Sequence, residues 1–435
     1  MYFAINPSIL DARLTALKPY IDKGTPYVTI EASQQLNNLT IKTGGSNGFC
    51  NIIISAKVTD SGFINIELDL ITKLVRTYPT NQIYVRTDLS GNNIKISSES
   101  TFPNKGTISI PIIVSKLQQI SPKLTPKLYS FPIPYEKLQY ALSSLKALKS
   151  APGVDKITIT LTQTKVEFSN ISPRGLVVTS IPFPIPLDIS NGIPDAVTKG
   201  IVTIPLSTLN GLPNAVGDII IKISNTSVVF SSNYWGVISP IISTASFDYN
   251  TIFKSPDSGS ISVLSRDLLP ILRRSSLIMD TSSTTRRSIT FSVDNIAKKL
   301  STFLSSSKGD YSDCIVCSSD KKFGQISFYL DDIMASVLSI SAESIKFVWI
   351  NNSILIYSDD KISNNVETIF MIKTFGSTKS IPGGIISNDV KQKDITTQST
   401  NQLKESIKTK PKESTETKPK ESTKTKPKKQ LEESI

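Results

Sequence analysis

Three times along the chain, apolar and polar positions alternate with the period of a strand and then shift, without a loop, to the three-to-four spacing of an amphipathic helix. The copies are residues 2–17, 129–142 and 260–272. A second strand-into-helix segment follows each, at 62–74, 200–212 and 324–336. After each of these comes a two-strand signal: 82–86 with 93–97, 218–222 with 227–231, and 344–348 with 353–357. The starts at 2, 129 and 260 are 127 and 131 residues apart, too long for a solenoid unit and right for a whole domain. Between these segments most runs alternate as strands, for example 27–31, 51–55 and 156–161. Each unit therefore has two helices and many strands, an α+β domain with its helices on one sheet face.

Punctuation along the chain places the units at 1–122, 123–253 and 254–375, with linkers at 121–127 and 254–259. Asn6 before Pro7 is a good helix start, and Asp267 can cap the third unit's first helix with Pro270 in its first turn. Pro111, in the apolar run 107–114, fits a sheet edge. Residues 376–435 form a Lys-rich tail with an eight-residue repeat at 408–415, 416–423 and 424–431. Its composition cannot bury enough apolar surface to offset ordering, so the expectation is disorder.

Chemistry is narrowed mostly by what is missing. The 435 residues include no histidine, which removes Ser-His-Asp and Cys-His catalysis and His-ligated zinc. No Gly-rich phosphate loop is present, and no cofactor motif. Cysteine occurs only at Cys50, Cys314 and Cys317. The Cys314–Cys317 spacing falls in an alternating run, where residues three apart point to opposite faces, so a structural reading outweighs a metal or redox one. Asp331 and Asp332 open a helix, where acids complement the dipole. Nothing argues for an enzyme. No apolar run approaches the roughly 18 residues of a membrane span, and the N-terminus lacks a signal layout, so the expectation is a cytoplasmic protein. Net charge is +12, and the tail contributes 13 lysines against 8 carboxylates. That balance suggests a polyanion partner.

The order and spacing of the triple unit resemble the beta subunit of bacterial DNA polymerase III, the sliding-clamp family. Residues 263–279 look like that family's first helix of the third domain. Residues 328–336 with 345–350 are similar to its second helix and following strand, and 369–375 to its closing strand. The AT-rich codon usage suggested by abundant Asn, Ile, Lys and Ser fits a phage-encoded version. The resemblance implies a head-to-tail homodimer whose six like domains close a ring around double-stranded DNA. Such a ring tethers a DNA polymerase and is opened by a clamp loader. Basic residues on the helices would face the DNA: Arg13, Lys18, Lys73, Arg76, Lys137, Lys146, Lys149, Arg273 and Arg274. The second helices of units two and three lack basic residues, so the lining is expected to be uneven. A partner-peptide pocket between units two and three would be walled by Ser172, Pro173, Arg174, Leu176, Ile252, Phe253, Phe370, Met371 and Ile372. The ring interface would use Ile108 and Ile110 on the edge strand and Leu277 and Ile278 at a helix end. A DNA-associated scaffold without a ring is the alternative on the same fold.

Overall fold

The computed structural model describes residues 1–22, 24, 26–100, 107–112, 129–147, 156–172, 174–187, 200–243, 259–279, 288–319, 325–350, 353–358 and 366–374. The linkers at 121–127 and 254–258 and the tail lie outside them.

The first repeat comprises β1 (Tyr2–Ile5), α1 (Pro7–Leu17), a 3-10 turn (Lys18–Tyr20), β2 (Tyr27–Ser33), β3 (Asn38–Gly45), β4 (Gly48–Ser55), β5 (Lys57–Asp60), β6 (Gly62–Glu67), α2 (Leu68–Arg76), β7 (Ile83–Thr87), β8 (Asn93–Ser97) and β9 (Ile108–Pro111). The second comprises β10 (Tyr129–Pro134), α3 (Tyr135–Lys146), β11 (Lys156–Leu161), β12 (Lys165–Ser172), β13 (Gly175–Pro182), β14 (Ile201–Pro205), α4 (Leu206–Asn210), β15 (Asp218–Ile223), β16 (Ser227–Ser231) and β17 (Trp235–Pro240). The third comprises β18 (Gly259–Leu264), α5 (Ser265–Ile278), β19 (Ser288–Asp294), β20 (Lys299–Ser306), β21 (Gly309–Val316), β22 (Ser318–Ser319), β23 (Ile326–Tyr329), α6 (Leu330–Ser339), β24 (Ser344–Ile350), β25 (Ser353–Ser358) and β26 (Glu367–Lys373).

Every strand-into-helix phrase read from the sequence forms as such. The junctions need no loop because the last extended residue doubles as the cap. The first helical N–H then finds a carbonyl on a neighbouring loop: Leu68 donates to Pro26 (2.8 Å), Tyr135 to Gly217 (3.0 Å) and Ser265 to Glu343 (2.8 Å). At α1 a side chain does this work. Asn6 Oδ1 accepts from the N–H groups of Ser8 (2.9 Å) and Ile9 (3.4 Å), with Pro7 as the first helical residue. Replacing Asn6 with Ala should cost about 1 kcal/mol, read as a lower urea midpoint. The third unit departs from the expected capping. Helix α5 begins at Ser265, so Asp267 is not the cap and Pro270 lies inside the helix. The Ser265 hydroxyl donates to the Ala342 carbonyl at 2.6 Å, so tertiary bonds set the start and the proline removes one main-chain donor further in.

Among the described residues the strands form four antiparallel sheets. A five-stranded sheet runs β5-β1-β7-β8-β9, with β9 and its Pro111 at an edge. An eight-stranded sheet runs β10-β15-β16-β17-β4-β3-β2-β6, and a nine-stranded one runs β14-β11-β12-β13-β26-β25-β24-β18-β22. A four-stranded sheet runs β21-β20-β19-β23. Two sheets thus pass without interruption from one repeat into the next, through β17 against β4 and β26 against β13.

The repeats correspond residue by residue. Across one sheet the aligned rows are Phe3–Val85–Ile96–Ile108, Phe131–Ile221–Phe230–Val237 and Ile261–Phe347–Ile356–Phe370. Across the other they are Ile30–Ile41–Ile52, Ile159–Phe168–Thr179 and Phe291–Thr302–Asp313. Most of these side chains turn into one extended core. At the two joints Val237 faces Cys50 and Phe370 faces Val177, all four fully buried. A glycine seats the crossing strand each time. A Cβ on Gly48 would lie 2.5 Å from the Ile238 carbonyl oxygen, and one on Gly175 would lie 2.1 Å from that of Met371.

Candidate nucleic-acid and partner interfaces

The helices pack on one another as well as on the sheets. Helix α1 lies against α2, α5 against α6, and α3 against α6 across the joint between the second and third repeats. The Lys18–Tyr20 turn meets α4 across the other joint. There the buried Tyr20 hydroxyl donates to the Thr208 carbonyl at 2.8 Å, and burial pushes its phenol well above the ordinary range. At the second joint Tyr140 donates to the Ser339 carbonyl (3.1 Å) and accepts from the Ser341 N–H (3.3 Å).

This helical layer carries the cations named from the sequence. Lys18, Lys73, Arg76, Arg273 and Arg274 are exposed, while Arg13, Lys137 and Lys146 are half-buried. Arg13 borders a shallow groove between α1 and residues 210–214. Lys149 lies outside the described residues. Carboxylate partners are seen for Lys18, with Asp69 at 3.0 Å, for Arg76, with Asp11 at 2.8 Å, and for Arg274, with Asp313 at 2.7 Å. The Lys18 hydrogen bond holds the Asp69 carboxyl below its usual range. Exposed pairs of this kind are screened by water and contribute little, so a phosphate can replace the carboxylate at little cost. Helix α4 carries no charge and α6 only Asp331 and Asp332, so the positive charge is unevenly spread over the layer.

The residues proposed for a partner pocket divide between the two faces of the nine-stranded sheet. Phe370 and Ile372 point into the main core, on the side packed by α3 and α6. Leu176 and Met371, cross-strand partners, lie on the opposite face. Met371 also packs against a second apolar group, Val348, Ile350 and Leu355 with Tyr357 and Ile369. Ser172 forms the β12–β13 turn, its hydroxyl accepting from the N–H groups of Arg174 (3.2 Å) and Gly175 (3.3 Å). Pro173, Ile252 and Phe253 lie outside the described residues.

Arg174 crosses to the helix side of the joint. Its Nη1 donates to Asp332 Oδ1 at 3.1 Å, with the two side chains 19% and 2% exposed. Asp332 therefore ties α6 of the third repeat to the β12–β13 turn of the second, a role that sequence spacing did not reveal because 158 residues separate the partners. The residues named for a ring interface are also divided. Leu277 is 78% exposed and Ile278 and Ile108 are half-buried, whereas Ile110 is buried in the protein's own core.

Cys314 is exposed on β21 and Cys317 is buried, facing apart as the alternation required, and burial raises the Cys317 thiol pKa. Among the described residues no cluster of Cys, Asp or Glu is arranged to hold a metal ion, and no helix is long and apolar enough to cross a membrane.

A two-helix, two-sheet unit repeated three times, with sheets fused through the joints and helices gathered in one layer, defines the clamp fold. Solved structures bear this out. A DNA polymerase sliding clamp from Bacillus subtilis matches with a TM-score of 0.72 at 14% identity, covering 87% of this chain and 100% of that one. The DNA polymerase III beta subunit of Thermotoga maritima matches at 0.69 and 14%, covering 87% and 100%. That of Borrelia burgdorferi, solved with a natural product, matches at 0.69 and 12%, covering 87% and 99%. No family model matches the sequence, and no curated protein does. The likeness at these identities is one of fold.

Proposed function

We propose that this protein is a DNA sliding clamp, a non-catalytic processivity factor that holds a polymerase on duplex DNA by encircling it. The observation that carries the reading is the pair of fused joints. Two of the three like sheet junctions are closed within the chain, and the strands that would make the third, β9 and β21, are left at sheet edges. A second copy supplies both missing partners at once, head to tail, and removes the open edges. The helical layer then faces the DNA with Lys18, Lys73, Arg76, Arg273 and Arg274 exposed. Phosphate attraction without base contacts lets the ring slide. A polymerase and a clamp loader dock by short peptides at the joint of the second and third repeats, where Met371 is half-buried beside the buried Leu176, in a bacterial or phage-infected cytoplasm.

Retention on DNA tests this. Protein assembled on a circular plasmid with a loader should stay through a salt wash and be lost when the circle is cut. Equal loss from circle and linear DNA would overturn the reading. Changing Lys73 and Arg273 to Ala should lower the salt slope of direct DNA binding by up to about 2, roughly one per lost phosphate contact.

A further inference from the structure

We infer that the third joint forms between β9 of one copy and β21 of another in one fixed register, with Ile108 opposite Tyr311 and the Ser109 carbonyl seated over Gly309. The inference rests on the clamp reading and adds the contact that closes it.

The register follows from the repeats. Val237 and Phe370 end corresponding rows, and Ile108 ends the third. Their partners at the closed joints, Cys50 and Val177, each stand two residues before the row residues Ile52 and Thr179. The same step from Asp313 gives Tyr311. Both closed-joint pairs are fully buried, whereas Ile108 and Tyr311 are only half-buried at the rim of the core.

The glycines give an independent sign. Stepping two residues further back from Cys50, Val177 and Tyr311 gives Gly48, Gly175 and Gly309. Gly48 and Gly309 share a φ of 131°, a conformation that disfavours any side chain. At Gly48 and Gly175 the crossing carbonyl fills the space a Cβ would need, but a Cβ on Gly309 would meet nothing within 4 Å among the described residues. The residue corresponding to Ile238 and Met371, whose carbonyls fill that space, is Ser109. The end of α5 borders the same seat: the Ser306 hydroxyl bridges the carbonyls of Ile278 (3.0 Å) and Gly309 (3.1 Å), leaving Leu277 exposed beside it.

Directly opposed strand residues lie about 4.5–5.5 Å apart between Cα atoms, within disulfide reach, and a slip of two residues moves them beyond it. The test uses the full chain with Cys314→Ser to remove the exposed thiol. Adding Ser109→Cys and Asp310→Cys should give rapid oxidation to a covalent dimer. The slipped pair Ser109→Cys and Ser312→Cys should link at least tenfold more slowly. Equal or faster linking of the slipped pair overturns the register. Failure of both pairs in protein that light scattering shows to be a dimer places the joint elsewhere, and DNA retention still tests the ring. A strict monomer that is not retained on circular DNA overturns both.

Discussion

Arg174→Ala will destabilise the folded chain by about 3–5 kcal/mol, because it takes a guanidinium away from a carboxylate that is almost wholly buried. Asp332 sits on α6 at 2% side-chain exposure, and Arg174 reaches it from the neighbouring repeat at 3.1 Å. The loss should appear as a lower urea midpoint. Replacing both partners together, Arg174→Met with Asp332→Leu, should recover most of the stability, since no charge is then left uncompensated. If the single and double variants unfold alike, the pair is not what holds the joint.

Gly175→Ala will cost on the order of 3 kcal/mol, at the upper end of overpacking effects, although it adds a single methyl group. The new Cβ would sit 2.1 Å from the Met371 carbonyl oxygen, and neither group is the flexible end of a side chain. One strand must move, breaking ladder bonds between β13 and β26 and shifting Leu176 away from Met371. Amide exchange at 176–180 and 367–372 should accelerate together. Unchanged protection in both strands would mean that the joint adapts elsewhere.

The strand-into-helix phrase could be read from the sequence because its physics is local: extended residues run into a helical period with no loop between. Asn6 and Pro7 were legible for the same reason. The start of α5 was not, because Ser265 is anchored to the carbonyls of Ala342 and Glu343, far along the chain. For the residues named for a pocket, the faces they take were only partly legible. Residues 370–372 are consecutive, and a strand can offer only alternate side chains to one face, so Met371 joins Leu176 while Phe370 and Ile372 enter the core. The contact of Arg174 with Asp332 was not legible, because its partner belongs to another repeat. The glycines at 48, 175 and 309 carry no motif, and their correspondence emerged only once sheet register aligned the repeats.

The ladders that run through the joints also determine how the molecule can yield. Four residue pairs cross between the first and second repeats and six between the second and third, so neither boundary is a hinge. Bending there would shear a row of backbone bonds at once. In the proposed ring the compliant place is the seam between chains, whose inward positions include the Asp313 carboxylate bound to Arg274 and Tyr311. At the corresponding places the joints within the chain have Ile52 and a Thr179–Thr368 pair that needs no counter-ion. The proposed ring would therefore be stiff at the joints within a chain and wettable at the seam between chains, and would open to admit DNA by parting at that seam rather than by flexing.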